Sequence, residues 1–403
     1  MDAYYHRYIE ESIVQSIESG KVILLLGARQ TGKSTLLNHL LPENAVNINL
    51  QEYKRRLEVS MNPGVLTEIV EARNDPKTTV FIDEVQKVPE LLEEVQYLYD
   101  KHKGRLAFLL TGSSSRKLKE KSANLLPGRT HLYRLYPVSQ IERGRAGLLK
   151  TEYKCENPFP AQELDELLLY GSLPGILSES PEMKGKTLES YAELYIEEEI
   201  RRENLVKNIG AFSNFLQLAA LESGKTVSLT KLSNEIGLSI NGIKNYYQIL
   251  ADTHVGYFIP AYSGNSRKRL LSTPKFYLFD NGIRNACAKI GFNKEILIID
   301  GGNLFEHWVG LELIHKTGLL GKDYGISYYR TVSGVEIDFI LKTPKGLIPV
   351  EVKWTENPGR SDAKHIENFI KAENLSNRGY VICRCREPRK ISEHVTALPW
   401  SHL

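Results

Sequence analysis

The sequence predicts an α/β protein in three segments, and three observations carry that reading. Residues 22–34 read as a buried strand, a glycine-bounded turn and the start of a helix. Residues 227–250 read as two short helices joined at Gly237, and residues 334–354 as a hairpin with acids at alternate positions. The expected segments are residues 1–158, a parallel sheet with covering helices; residues 159–273, a helical middle; and residues 274–403, a second α/β domain.

At 403 residues the chain exceeds one ordinary core, given roughly 150 residues per domain. A hydrophobic fraction of 41% and a charged fraction of 25% exclude fibrous and disordered classes. The formal charge of +3 is only mildly basic, so any nucleic-acid contact has to come from local patches. Cys155, Cys287, Cys383 and Cys385 lack the pairing of a disulfide framework or a zinc site and read as free thiols. The N-terminus has no apolar signal core, and runs such as Val22–Leu26 fall far short of a membrane span. The expectation is a soluble, cytoplasmic protein with no membrane partner.

In the first segment, β-rich runs at Val22–Leu26, Val46–Leu50, Thr79–Ile82 and Leu106–Leu110 alternate with helical stretches, the pattern of a parallel sheet. Gly27, Ala28, Arg29, Gln30, Thr31, Gly32, Lys33, Ser34 and Thr35 spell Gly-x4-Gly-Lys-Ser-Thr between strand and helix, the context a phosphate-binding loop requires. Gly27 and Gly32 permit the tight turn, and backbone N–H groups converge on phosphates. Lys33 neutralises the β/γ oxygens and Ser34 ligates Mg²⁺, so ATP and Mg²⁺ are the expected cofactors. The run Thr79–Ile82 ends in Asp83 and Glu84. Asp83 would hold Mg²⁺ through water and Glu84 would activate the water that attacks the γ-phosphate; a helix cap there would use one acid, not both. Leu106–Leu110 ends in Thr111, Gly112, Ser113, Ser114 and Ser115, small hydroxyls at a neighbouring strand end.

This set resembles the AAA-type ATPases, in particular bacterial and archaeal proteins with Thr-Gly-Ser-Ser after the third strand and Gly-Arg shortly after. Leu126-Pro-Gly128-Arg129 and Leu135-Tyr-Pro137-Val-Ser match the second feature. The likeness continues through Leu169–Gly175 and Tyr191–Glu203 and covers most of the chain. It implies that Ser113 or Ser114 is a polar sensor and that Arg129 reaches a γ-phosphate, in cis or from a neighbour in a homo-oligomer. Taken alone, Arg129 reads equally as a surface ion-pair residue.

In the middle segment, Val227–Leu250 reads as helix, glycine turn, a Ser239 cap and a second helix. Ile240, Ile243, Tyr247 and Leu250 form the core stripe, leaving Asn241, Lys244, Asn245 and Gln248 outward. Arg267, Lys268 and Arg269 follow as a basic wing, giving a winged-helix candidate for DNA. A protein-interaction module or an ATPase lid remains the alternative.

In the last segment, Glu336 and Asp338 share one face of their strand, and Glu351 and Lys353 one face of the partner. The repulsion among the acids calls for a divalent cation, so Asp338 and Glu351 read as Mg²⁺ or Mn²⁺ ligands, with Lys353 positioning phosphate or water. With Glu306 on a preceding helix the set resembles the PD-(D/E)xK restriction-endonuclease-like superfamily. That resemblance implies metal-dependent phosphodiester cleavage by Glu306, Asp338, Glu351 and Lys353. A salt-bridged hairpin or an inactive scaffold is the alternative, and Trp354 reads as core.

The combined expectation is an ATP-hydrolysing protein acting on DNA. The alternative is an ATP-switched regulator that binds DNA or a protein partner. A protein-remodelling ATPase is disfavoured, since nothing resembles an aromatic pore loop.

Overall fold

The computed structural model describes residues 4–116, 118, 128–145, 147–149, 153, 155–196, 208–263, 272–331, 333–375 and 378–403. The chain divides into two compact units. One comprises residues 7–136 with 252–255; the other comprises residues 1–6, 137–251 and 256–403.

The unit 7–136 runs α1 (Glu10–Glu18), β1 (Val22–Leu26), α2 (Lys33–Leu40), β2 (Val46–Asn49), α3 (Tyr53–Met61), α4 (Val65–Glu71), β3 (Thr78–Asp83), α5 (Leu91–Lys101), β4 (Leu106–Gly112) and β5 (Thr130–Arg134). Among the described residues, five strands form one parallel sheet in the order β2-β3-β4-β1-β5. The apolar run of β1 is buried at all five positions because strands flank it on both sides. Val59, Leu66, Val70, Leu91, Val95 and Leu98 of the covering helices join Leu24, Ile48, Val80 and Phe108 of the sheet in one core. Each such side chain contributes roughly 1.5–3 kcal/mol on burial. The parallel registers leave the carboxyl ends of β1, β3 and β4 side by side, where ligands of open α/β sheets bind. Residues 252–255 belong to this unit, and the Ser115 N–H donates to the Asp252 carbonyl at 3.0 Å.

The other unit begins, beyond its first residues, with a 3₁₀ turn (Ile141–Arg143), α6 (Leu164–Tyr170), α7 (Pro181–Ser190), a π-helical turn (Tyr191–Ile196) and α8 (Ile209–Leu221). Next come α9 (Leu229–Ile236) and α10 (Ile240–Asp252), joined at Gly237, whose φ of 74° ends α9 in the left-handed region that favours glycine. Strands β6 (Gly256–Ile259) and β7 (Lys275–Leu278) pair antiparallel, and Thr226 bridges to Lys275. Phe212 and Phe215 of α8, Tyr246 and Tyr247 of α10, and Phe276 of β7 pack ring to ring at 4.8–5.7 Å. Asn241, Lys244, Asn245 and Gln248 are exposed as expected. Ile240 is not in the core: it is 47% exposed, and Tyr246 and Ile249 join Ile243, Tyr247 and Leu250 in the buried stripe. It stands in the first turn of α10.

The chain continues through α11 (Asn281–Ala288), α12 (Glu295–Leu320), β8 (Gly325–Arg330), β9 (Glu336–Thr343), β10 (Gly346–Val352), α13 (Lys364–Ala372), β11 (Gly379–Cys383), β12 (Arg389–Lys390) and β13 (Val395–Pro399). Among the described residues the six strands β8–β13 form a mixed sheet in the order β12-β13-β11-β10-β9-β8. Gly310 of α12 is required by close approach, since a Cβ there would lie 2.7 Å from Tyr277 Cε1 and 3.0 Å from Phe339 Cζ. Trp354 packs beside Gly301 and Phe305, with the Arg384 guanidinium 4.0 Å above its ring.

The segment boundaries differ from expectation in two places. The unit boundary falls at 136/137 rather than 158/159, and the 273/274 boundary separates two strands that pair with each other. Leu126, Pro127, residues 197–203 of the Tyr191–Glu203 stretch, and Arg267, Lys268 and Arg269 lie outside the described residues. Among the described residues no disulfide forms and no helix is long and apolar enough to cross a membrane.

Candidate functional site

The loop from Gly27 to Gly32 joins β1 to α2. A Cβ at Gly27 would lie 2.3 Å from the Leu135 carbonyl oxygen, and Gly32 holds φ at 93°, so both glycines are structurally required. Gln30 also adopts positive φ, at 61°. Lys33 is buried, its ammonium donating to the Gly27 carbonyl at 3.0 Å and the Ala28 carbonyl at 2.8 Å. Thr31 Oγ1 closes the turn on the Ala28 carbonyl, while Arg29 is half-buried and Gln30 and Thr35 are exposed. Arg7 braces the loop from beneath: its guanidinium donates to the Thr31 carbonyl and the Tyr136 carbonyl, each at 2.7 Å.

The carboxylates meet this loop from β3. Asp83 accepts hydrogen bonds from Ser34 Oγ at 2.7 Å, Gln51 Nε2 at 2.8 Å and Thr111 Oγ1 at 2.5 Å. Ser34 and Asp83 thus present hard oxygen donors side by side, a set that fits Mg²⁺. Glu84 takes the left-handed conformation, φ 60°, unusual for a residue with a side chain and typical of functional sites. Its N–H donates to Thr111 Oγ1 at 2.9 Å, and its carboxylate accepts from Ser113 Oγ at 3.0 Å and from Gln86 Nε2. Of the two serines expected near the phosphate, Ser113 is the one that touches Glu84. Gln51, Gln86 and Arg7 went unread in the sequence, because the turns that bring them in leave no motif. Thr111 stood in the hydroxyl run, and the strand-end position was its signal.

Arg129, expected at the γ-phosphate, stands away from the phosphate loop. Its carbonyl accepts from the Val22 N–H, so it precedes β5 at the end of the sheet opposite the phosphate loop. Its guanidinium pairs with Asp100 at 2.9 and 3.0 Å. Five residues of strand, about 17 Å, separate it from the loop, which rules out a contact to the γ-phosphate in cis.

A second cluster lies in the other unit. The β9–β10 hairpin puts Asp338 beside Glu351: the Val352 N–H donates to Asp338 Oδ2 at 2.7 Å, and the Asp338 N–H to Glu351 Oε2 at 3.4 Å. Lys353 Nζ donates to Glu351 Oε1 at 2.9 Å. Glu306, on α12, and Glu336, on β9, are bridged by Lys275 of β7, whose ammonium lies 3.4 Å from Glu306 and 2.9 Å from Glu336. Burial, reinforced by the Asp338 charge, pushes both Glu306 and Glu351 up to about 7, and burial raises Asp338 as well. Burial opposes the Lys275 charge, but Glu306, Asp338 and Glu336 hold its pKa above the ordinary value.

Tyr277, two residues along β7 on the same face as Lys275, is fully buried, and its hydroxyl has no hydrogen-bond partner. The charges of Glu306, Asp338 and Glu336 bear on that hydroxyl. Surplus negative charge and an orphaned buried hydroxyl fit a hydrated divalent cation. As arranged, no three of Glu306, Glu336, Asp338 and Glu351 bring carboxylate oxygens within 4.8 Å of one another. Lys275 and Tyr277 were invisible in the sequence, since nothing local ties β7 to β9.

Residues 19–143 match the family described as AAA domain, and this supports an AAA-type nucleotide-binding ATPase domain on the parallel sheet. Residues 161–294 and 301–403 match two families described as domains of unknown function, DUF8612 and DUF4143. Two uncharacterized proteins, from Mycobacterium bovis and Mycobacterium tuberculosis, are each 22% identical over 351 residues, which is 86% of this chain and 73% of theirs. Among solved structures, a DNA polymerase III gamma subunit-related protein of Thermotoga maritima aligns at TM-score 0.25 and 9% identity, over 61% of this chain and 98% of its own. C. elegans PCH-2 aligns at TM-score 0.24 and 16% identity, over 60% and 66%. Likenesses this slight do not bear on function.

Proposed function

We propose that the protein is a Mg²⁺-dependent ATPase whose nucleotide state acts on a DNA-binding, metal-dependent nuclease-like module. The observation that carries the ATPase half is the arrangement around Asp83 and Glu84: one carboxylate held by Ser34, the other by Ser113 and Gln86, both at the end of β3. Bound Mg²⁺ would supply charge neutralisation for the phosphates. Ser34 and Asp83 would hold it, Lys33 would turn from the loop carbonyls to the β/γ oxygens, and Glu84 would take the proton of the attacking water. Hydrolysis should be lost in Lys33→Ala and Glu84→Gln; unchanged turnover in both would sink this half.

The DNA half draws on α8, α9 and α10 followed by the antiparallel pair β6–β7, an element order that a winged helix would use, and on the outward polar row Asn241, Lys244, Asn245 and Gln248. The nuclease half is supported by the linked set Asp338, Glu351 and Lys353, with Glu306 close enough for its charge and that of Asp338 to act on each other. Its test is cleavage of circular duplex and single-stranded DNA in Mg²⁺ or Mn²⁺, with and without ATP, comparing wild type with Lys353→Ala. Cleavage by wild type alone supports the reading. The second reading, an ATP-switched regulator on an inactive scaffold, is favoured by Lys275, whose ammonium already balances part of the cluster. No cleavage under any condition, with ATP hydrolysis still stimulated by DNA or a protein partner, would establish it.

A further inference from the structure

Lys275 reaches the carboxylate cluster from outside the sheet that carries it. It stands on β7, paired with β6, whereas Glu336, Asp338 and Glu351 stand on β9 and β10 and Glu306 on α12. Its side chain is 5% exposed, so the charge is held in a poorly solvated place and fixed there by Glu336 at 2.9 Å and Glu306 at 3.4 Å. The Tyr328 ring lies 5.4 Å from the ammonium and adds a cation-attracting face. Four carboxylates, Glu306, Glu336, Asp338 and Glu351, face two ammonium groups, Lys275 and Lys353. With every group ionised the cluster keeps a deficit of two positive charges.

We propose that Lys275 is a built-in counter-cation that competes with a divalent ion for this cluster, so that β7 sets the cluster's affinity for the ion. The inference rests on the cation-binding reading given above. An ammonium and a divalent ion repel one another in a desolvated site, so binding the ion costs whatever the lysine's pairing with Glu306 and Glu336 supplied. Tyr277, on the same face of β7, would donate its unpartnered hydroxyl to water around the ion.

The other face of β7 turns to the helix–glycine–helix unit. Phe276 meets Tyr247 of α10 at 4.8 Å and Phe258 of β6 at 5.1 Å, between centroids. A Cβ at Gly256 would lie 2.2 Å from Phe276 Cζ, so the strands cannot shift independently. Phe276 thus packs the strand that carries the competing cation against α10.

The test is Mn²⁺ titration of the full chain, following free Mn²⁺ by its paramagnetic resonance signal. Asp338→Asn identifies the ions bound at this cluster. Lys275→Met keeps the length of the stem without the charge, and Lys275→Arg keeps the charge. Lys275→Met should bind Asp338-dependent Mn²⁺ about tenfold tighter or more, the scale of removing one like charge from a partly desolvated site, and Lys275→Arg no tighter than wild type. Equal or weaker binding by Lys275→Met, with Asp338-dependent binding present in wild type, overturns the inference and leaves the cation site standing. Absence of Asp338-dependent binding in every variant overturns both.

Discussion

The side-chain amide of Gln86 donates at once to the Glu84 carboxylate and, at 2.9 Å, to Ser113 Oγ. Ser113 in turn donates to the same carboxylate at 3.0 Å, which closes a triangle around it. Glu84 stands just past the end of β3 in a left-handed conformation, so its aim depends on these two neighbours rather than on strand geometry.

Ser113→Ala and Gln86→Leu should therefore each slow ATP hydrolysis by about 10- to 100-fold, the range for losing a hydrogen bond to a charged group, with little change in KM. Steady-state kinetics decides: a rise in KM at constant kcat would mean that these residues serve binding instead.

Arg7 joins Thr31 of the phosphate loop to Tyr136 beyond β5 through one buried guanidinium. Arg7→Met leaves two carbonyls without their donor and lets the loop relax, and should cost roughly 2–4 kcal/mol of stability. ATP affinity, read by isothermal titration, should fall with it. Unchanged affinity would show that the loop holds its shape without this brace.

The Arg129–Asp100 pair is about a third exposed at either end and is worth roughly 0.5 kcal/mol. Arg129→Ala should leave ATP turnover within about twofold of wild type in a dilute, monomeric sample, because the residue stands at the far end of the sheet. A large loss that grows with protein concentration would instead show that Arg129 completes the site of a neighbouring copy.

Glu312 of α12 is buried and accepts the Gln140 N–H at 2.9 Å. Burial pushes its pKa up to about 7, against the lowering influence of that hydrogen bond and of Arg143 and Lys316, while Glu142 adds to the rise. The folded state thus keeps a proton that the unfolded chain has released. The associated stability is complete below the ordinary value of 4.5 and is lost as pH climbs through about 7. Lys316, lowered to about 8 by burial, would be lowered further without Glu312, which acts in the same sense. Glu312→Gln should therefore give a shallower fall in stability from about pH 5 to pH 8, measured by denaturant unfolding; parallel curves would refute the assignment.

Lys244 is exposed on α10 between Asn241 and Asn245. If this face meets DNA, Lys244→Ala should lower the slope of log affinity against log salt by about one. An unchanged slope, in a protein that still binds, would move the contact to another surface.

Much of the phosphate site was legible in the sequence, because Gly27–Ser34 and Asp83-Glu84 are local patterns: a strand, a glycine turn and a helix start have to be contiguous in the chain. The β9–β10 hairpin was legible for the same reason, since period two fixes which acids share a face. A helical stripe tells which residues align but not how much of the stripe a neighbour covers, and Ile240, in the first turn of α10, stays 47% exposed.

Short-range periodicity and turn chemistry were enough to set the parallel sheet, the phosphate loop and the facing of Asp338 and Glu351 across a hairpin. Packing in three dimensions was needed to show that Gln86 and Ser113 hold Glu84, that Arg129 stands at the end of its sheet away from the phosphate loop, and that Lys275 pairs with Glu306 and Glu336. Those relations join residues distant in the chain, whose juxtaposition follows from strand order and core packing.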